Sequence, residues 1–307
     1  MVGAQPMENY ERLLIDCSSL FQNLQVIEQE FEIIPKGNHF GLSVASTDLI
    51  ERREDFVEEL VDTVVDWVFS KAEQEDFFSK RSGEGDSLGR ISEKIVRNAK
   101  KRFRTNSDPN LIKGQFGELI LFCCLQQLFK AVPLLRKMPI TTNPKLERNG
   151  ADAIHYKKDG DIHWFYLGES KCYAQDYGFA KALEASIGSI LAEHANHMNE
   201  IELYETCGFL DPELIDIARQ YKTNQLANTK VRLVCQVIYN ENKLPNPTET
   251  SVDLGEYTKQ VIEKRFSSFP NSTILAFGKA AVVQRITYIV FPVRDLEGLL
   301  ELFLKTL

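Results

Sequence analysis

The sequence predicts an α/β protein in which a mixed β-sheet is flanked by helices, with a helical region at the N-terminus. Three observations carry this prediction. From residue 111 onward, apolar β-rich runs alternate with helical periodicity, the pattern of strand–helix units. Asp159-Gly160 separates two apolar runs, and this dipeptide is a two-residue hairpin signal. Within 49–70, Phe56, Leu60, Val64 and Val68 recur every fourth residue against Glu58, Glu59, Asp62 and Asp66, which predicts an amphipathic helix.

Taken in chain order, Arg81-Ser-Gly-Glu-Gly-Asp-Ser-Leu-Gly89 reads as a linker, because glycines and short polar residues favour turns. A basic helix follows from about Arg90 to Phe103, and Asn106 to Asn110 forms a break suited to capping the next helix. That helix, Leu111 to Lys130, is apolar on most faces and is expected to be buried. An extended run from Ala131 to Ile140 leads into the hairpin. Helices are then expected near Phe179–Tyr204, Pro212–Tyr221, Gly255–Phe266 and Leu296–Leu307, and strands within Val231–Tyr239 and Ala281–Val293.

The charge is uneven along the chain. The 307 residues carry a net charge of −8 and a pI near 5.3, in the range of ordinary soluble globular proteins. Residues 1–88 hold 19 Asp/Glu against 7 Lys/Arg, whereas 89–115 hold 8 Lys/Arg against 2 Asp/Glu. A basic block of this kind can hold a phosphate backbone, and Arg97, Lys100, Lys101, Arg102 and Arg104 are the candidates. The plainer alternative is a solvated helix face. Two domains are expected: an acidic, mainly helical region over 1–88, suited to docking a partner, and a catalytic domain over 89–307. No run approaches the roughly 18 apolar residues of a membrane span, and no secretory signal is visible. The six cysteines show no C-x-x-C pair, which suits a reducing cytoplasm.

The hairpin carries the chemistry. With Asp159-Gly160 as the loop, Lys158 faces Asp161 and Asp152 faces Leu167, so Asp152, Leu167, Glu169 and Lys171 share one face. Asp152 and Glu169 are then diagonal neighbours at about 7–8 Å, and their side chains can close on one cation. A hard divalent ion such as Mg²⁺ favours carboxylate oxygens completed by water and phosphate. The Lys171 ammonium on the same face can orient a water or stabilise a pentavalent phosphate. Glu-x-Lys alone is weak, and Glu241-Asn-Lys243 shows how chance supplies one without an Asp on a partner strand. The bland reading of the hairpin is a surface ion pair, with Asp152 capping a turn.

Gly114-Gln-Phe-Gly117-Glu118 opens the apolar helix. Its two glycines would let the helix approach the sheet, and Glu118 is its only acid. A metal-water cluster would partner that acid; a helix N-terminus favours it equally well.

Gly117-Glu118, Gly150-Ala-Asp152 and Gly168-Glu-Ser-Lys171, with Trp164 shortly before, resemble the PD-(D/E)xK nucleases, and more particularly the HamA family, the nuclease subunit of the Hachiman anti-phage defence system. The resemblance covers about residues 90–307. It implies a restriction-endonuclease-like α-β-β-β-α-β core and Mg²⁺-dependent cleavage of DNA, with Mn²⁺ as a substitute. It also implies a superfamily-2 helicase partner (HamB-like) that restrains the nuclease. By the motif, Asp152 and Glu169 would be metal ligands, Lys171 the catalytic lysine and Glu118 an accessory acid. Gly-Ala-Asp stands where the superfamily's name has Pro-Asp. The alternative is an inactive nuclease-fold subunit that only binds nucleic acid or protein.

Other groupings point less far. His194 and His197 have i,i+3 spacing suited to zinc but no third ligand, so solvated helix positions are the expectation. His155 and His163 fall on opposite faces of the hairpin, His163 beside Glu169's side. Cys172 alternates away from Lys171 and should point inward. Trp164, Tyr166, Tyr173 and Tyr177 can stack on bases, although strand aromatics usually serve the core. With no P-loop, any ATP-driven step must come from another chain.

Overall fold

A computed structural model describes residues 9–48, 50–103, 109–135, 150–175, 178–207, 210–244 and 253–307. Arg104, Tyr177 and the second half of the 131–140 run fall outside these residues. The elements are α1 (Ser18–Gln22), β1 (Leu24–Glu30), β2 (Asn38–Val44), β3 (Ser46–Thr47), β4 (Ile50–Glu51), α2 (Arg53–Asp62), α3 (Val64–Val68), α4 (Lys71–Gly83), α5 (Leu88–Lys100) and α6 (Pro109–Phe129). They continue with β5 (Val132–Leu135), β6 (Ala153–Asp159), β7 (Ile162–Tyr173), α7 (Phe179–Cys207), α8 (Ile215–Lys222), β8 (Thr229–Asn240), α9 (Leu254–Ser267), α10 (Asn271–Phe277), α11 (Ala280–Val283), β9 (Ile286–Val293) and α12 (Leu296–Thr306).

Seven strands form one mixed sheet in the order β1-β2-β9-β8-β7-β6-β5. The central strands β2, β9, β8 and β7 are parallel, and the flanking strands pair antiparallel. A parallel pair needs both faces covered, and both are. One core layer joins α2, α3, α6 and α12 to the sheet, and the other joins α7, α8 and α9 to the opposite face. The succession α6-β5-β6-β7-α7-β8 is the α-β-β-β-α-β order that the motifs imply.

The N-terminal region has more residues in helices than in strands, but it also supplies strands that the expectation lacked. β1 and β2 enter the main sheet, with Phe40 beside Ile289 and Gly41 beside Val290 of β9. The boundary expected at residue 88 therefore does not divide the sheet. The 49–70 helix is also interrupted. Ile50–Glu51 is extended, and Thr63 breaks the remainder into α2 and α3, its hydroxyl bonding the Leu60 carbonyl at 2.7 Å. The linker shrinks to Glu84–Ser87, because α4, started by a Ser70/Glu73 capping box, runs on to Gly83 and α5 begins at Leu88.

The hairpin loop is displaced by one residue. Asp159 pairs with Ile162 as the last rung, so Gly160 and Asp161 form the turn and Lys158 faces His163. Gly160 has φ 58°, and a positive φ at the first loop position is where glycine costs least. Moving the loop by one shifts each pairing by two residues, which preserves the faces. Leu167 accordingly pairs with Ile154, not Asp152.

Candidate active site

The last regular rung of β6 and β7 is Ala153 with Gly168. Continuing that register sets Asp152 opposite Glu169 itself, nearer than the diagonal expected. Asp152 leaves the ladder slightly, because its N–H donates to the Gly168 carbonyl at 3.0 Å, the carbonyl of its neighbour's partner. Its Oδ2 accepts from the Ser170 N–H at 2.9 Å, which holds the carboxylate beside the next strand. Upstream, the Ala151 N–H donates to Glu200 Oε1 on α7 at 2.9 Å, so the segment leading to Asp152 is fastened as well.

Alternation along β7 sends Phe165, Leu167, Glu169 and Lys171 toward α7, and Trp164, Tyr166 and Cys172 toward α6. Glu169 is only 3% exposed. Its carboxylate meets the half-buried Lys171 ammonium at 2.7 Å, and its backbone carbonyl accepts from the Ser186 hydroxyl of α7 at 3.3 Å. Burial, followed by the Asp152 charge, pushes the Glu169 carboxyl up to about 7, while Lys171 and Ser189 pull against the shift. Burial works to lower the Lys171 pKa, but the nearby Glu169 and Asp152 charges outweigh it, so the ammonium is held above its ordinary range.

The α6 side supports this strand from behind. A Cβ on Gly117 would lie 2.6 Å from Ser170 Oγ, so the helix touches the strand there only because glycine is present. Gly114 meets nothing, so one of the two glycines permits the approach. Fully buried Gln236 of β8 donates from Nε2 to the Gly117 carbonyl and to Ser170 Oγ, each at 2.8 Å. Glu118 follows Gly117 on this layer and is half-buried. Helix α6 therefore lies across the strand from Glu169 and Lys171. Ser170, Ser186, Ser189, Gln236 and Glu200 support the cluster, yet only Ser170 lay inside a motif. The others are polar residues within apolar patterns, a signal that marks them in hindsight.

The basic residues occupy α5 and its end. Arg97, Lys101 and Arg102 are exposed, and Lys100 donates to the Thr306 carbonyl at 3.1 Å. Helix α5 packs its Ile91, Ile95 and Ala99 inward, in the layer opposite α7. The basic helix and the acids thus lie on different sides of the sheet.

His197 is buried, with Nδ1 at the His194 carbonyl (2.8 Å) and Nε2 at the Tyr221 hydroxyl (2.7 Å). Both ring nitrogens are engaged by protein, which removes the zinc reading and corrects the expectation of a solvated position. His155 packs on Phe122 and His163 bonds Tyr156, on opposite faces as expected. Burial pushes the Cys172 thiol up to about 12, as its inward placement implies. Glu241, of the decoy Glu-x-Lys, instead pairs with both Nε and Nη2 of Arg265 at 2.8 Å, a structural role.

Among the described residues, no three His, Cys, Asp or Glu side chains gather at metal-binding range. The carboxylates that the hairpin brings together are Asp152 and Glu169, and such a pair suits a hard cation that completes its shell with water and phosphate. Burial, and after it the Asp152 charge, raises the Glu169 pKa, and a dication beside the two carboxylates would offset both effects. Asp152 and Glu169 fit such an ion.

The molecule is thus a mixed α/β protein with a carboxylate pair and a lysine at the rim of its sheet. A family model described as HamA matches residues 20–307, and the chain belongs to this family, that of the Hachiman anti-phage defence system. No curated protein and no solved structure matches the chain. Among the described residues, no helix is long and apolar enough to cross a membrane.

Proposed function

We propose that this Hachiman subunit is a cytoplasmic, Mg²⁺-dependent DNA endonuclease of the PD-(D/E)xK superfamily, acting with a helicase that restrains it. One observation carries the reading: Glu169 and Lys171, 2.7 Å apart at the end of β7, face an Asp152 carboxylate clamped by the Ser170 amide. A surface ion pair would not need a glutamate that is 3% exposed beside a second carboxylate.

Asp152 and Glu169 would hold Mg²⁺, with Mn²⁺ as a substitute. When bound, the ion acidifies a water and neutralises charge building on the scissile phosphate. Lys171 keeps its proton and offers an ammonium to a phosphate oxygen or the attacking water. The Ser170 amide holds Asp152 in one orientation, so little reorganisation is needed when substrate arrives. Glu118, in the α6 layer on the other side of β7, would serve as the accessory acid only by acting past the end of that strand. Arg97, Lys100, Lys101, Arg102 and Arg104 take the DNA backbone, which must then pass around the strand ends to reach the acids.

Purified chain incubated with plasmid and Mg²⁺, with and without the helicase, tests the reading. Cleavage is expected in at least one arm and is lost in Glu169→Ala and Lys171→Ala proteins that remain folded. Inertness in every combination would leave the inactive binding subunit as the better account.

A further inference from the structure

Helix α6 covers the sheet only as far as Phe129, which packs on Tyr166 at 5.1 Å between ring centroids. One alternation further along β7, Trp164 is partly exposed at the rim of that face, with the rest of its ring packed on the core. Lys230 Nζ lies 5.2 Å and Arg232 Cζ 5.3 Å from its ring centroid, both from the adjacent strand β8. Across the other edge, Lys157 of β6 pairs directly with Trp164 and so projects on the same face. None of the three cations forms an ion pair with a described residue. Asp159, at the hairpin end, shares this face and leaves an excess of positive charge on a protein whose total is −8.

A core role does not explain this grouping. Packing on the core accounts for the inner part of the Trp164 ring, but not for the two cations held over it. Three cations around an accessible indole instead match what a single strand presents: a base with a π-face and phosphates on either side. Duplex DNA hides its bases in the stack, so the indole would add nothing there. We propose that Trp164, with Lys157, Lys230 and Arg232, is a binding site for single-stranded nucleic acid. A base stacks on the indole while the cations that lie over it turn to the flanking phosphates. The site is distinct from the acids. Trp164 and Glu169 point to opposite faces and lie about 17 Å apart along the strand, at about 3.3 Å per residue. It holds whether or not those acids cleave DNA.

The chain provides its own reporter, because Trp67, the other of its two tryptophans, is 4% exposed in the core. Tryptophan emission of the full chain is titrated with short oligothymidylate or oligouridylate in EDTA, where no metal-dependent cleavage occurs. Saturable quenching is expected with at least one, and the comparison identifies the preferred sugar. Trp164→Phe should remove the quenching while leaving the unfolding midpoint near that of wild type. Lys230→Ala and Arg232→Ala should each weaken binding about tenfold and flatten its salt dependence. Glu169→Gln should bind like wild type, which separates this site from the proposed catalytic one. Absence of quenching, unchanged affinity in the Lys230→Ala/Arg232→Ala protein, or equal competition by polyglutamate would overturn the proposal.

Discussion

Glu169 holds its proton to about pH 7 in the folded chain, against 4.5 for an ordinary glutamate, because it is buried beside Asp152. Between those values the folded state binds more protons than the unfolded one. Stability must therefore fall as pH rises from about 4.5 to 7, by up to about 1.4 kcal/mol per pH unit, and level off above. Glu169→Gln should abolish this slope in urea unfolding. An unchanged slope would place the proton elsewhere. Lys171 makes a second prediction at this scale. It is a point charge 2.7 Å from one carboxylate oxygen, and a guanidinium has a different shape. Lys171→Arg should therefore lose cleavage nearly as fully as Lys171→Ala while folding normally; retained activity would show that charge alone suffices. The three residues of this cluster were legible in the sequence because Gly-Ala-Asp and Gly-Glu-x-Lys are local strings on two halves of one hairpin. Glu200 and Gln236 were not, since their partners lie 49 and 66 or more residues away.

At the scale of elements, β6 to β9 could be read because they are nearly continuous apolar runs between turn residues. The hairpin loop was misplaced by one residue. Asp159 stays extended as the closing rung, and sequence spacing does not reveal which residue takes positive φ. β1 and β2 were missed for a different reason. β1 is an edge strand with four polar residues in seven, and β2 depends on β9, more than 240 residues away, for its partner. Such pairing belongs to tertiary structure and leaves little local periodicity. The contact of α6 with β7 gives a test at this scale. Gly117→Ala would force a methyl to 2.6 Å from Ser170 Oγ, the strand segment whose amide holds Asp152. The expected cost is about 1–3 kcal/mol of overpacking, with activity falling alongside. Gly114→Ala, with open space around it, should cost nothing and add helix propensity. Thermal unfolding of the two proteins distinguishes them.

For the molecule as a whole, the acidic first 88 residues are part of the sheet as well as a charged surface. Leu42 and Phe40 are buried against β9 and α6, and Phe56, Val57 and Leu60 are fully enclosed. A fragment of 89–307 would expose that apolar layer and an unpaired β9 edge. It should aggregate or lack a cooperative urea transition. A fragment that folds with wild-type stability would instead mark the N-terminal region as a separable docking arm. The acidic total also bears on the proposed nuclease. A chain carrying −8 is repelled by nucleic acid over most of its surface, so engagement depends on the two basic patches or on a partner.

The central claim is that Asp152 and Glu169 together hold a hard dication beside Lys171. Calorimetric titration of Mg²⁺ into the chain across pH tests it most directly. Because Glu169 must lose its proton to ligate, affinity should drop about tenfold per pH unit below about 7, hold constant above, and vanish in Asp152→Asn. Binding that ignores pH and survives Asp152→Asn would contradict the account.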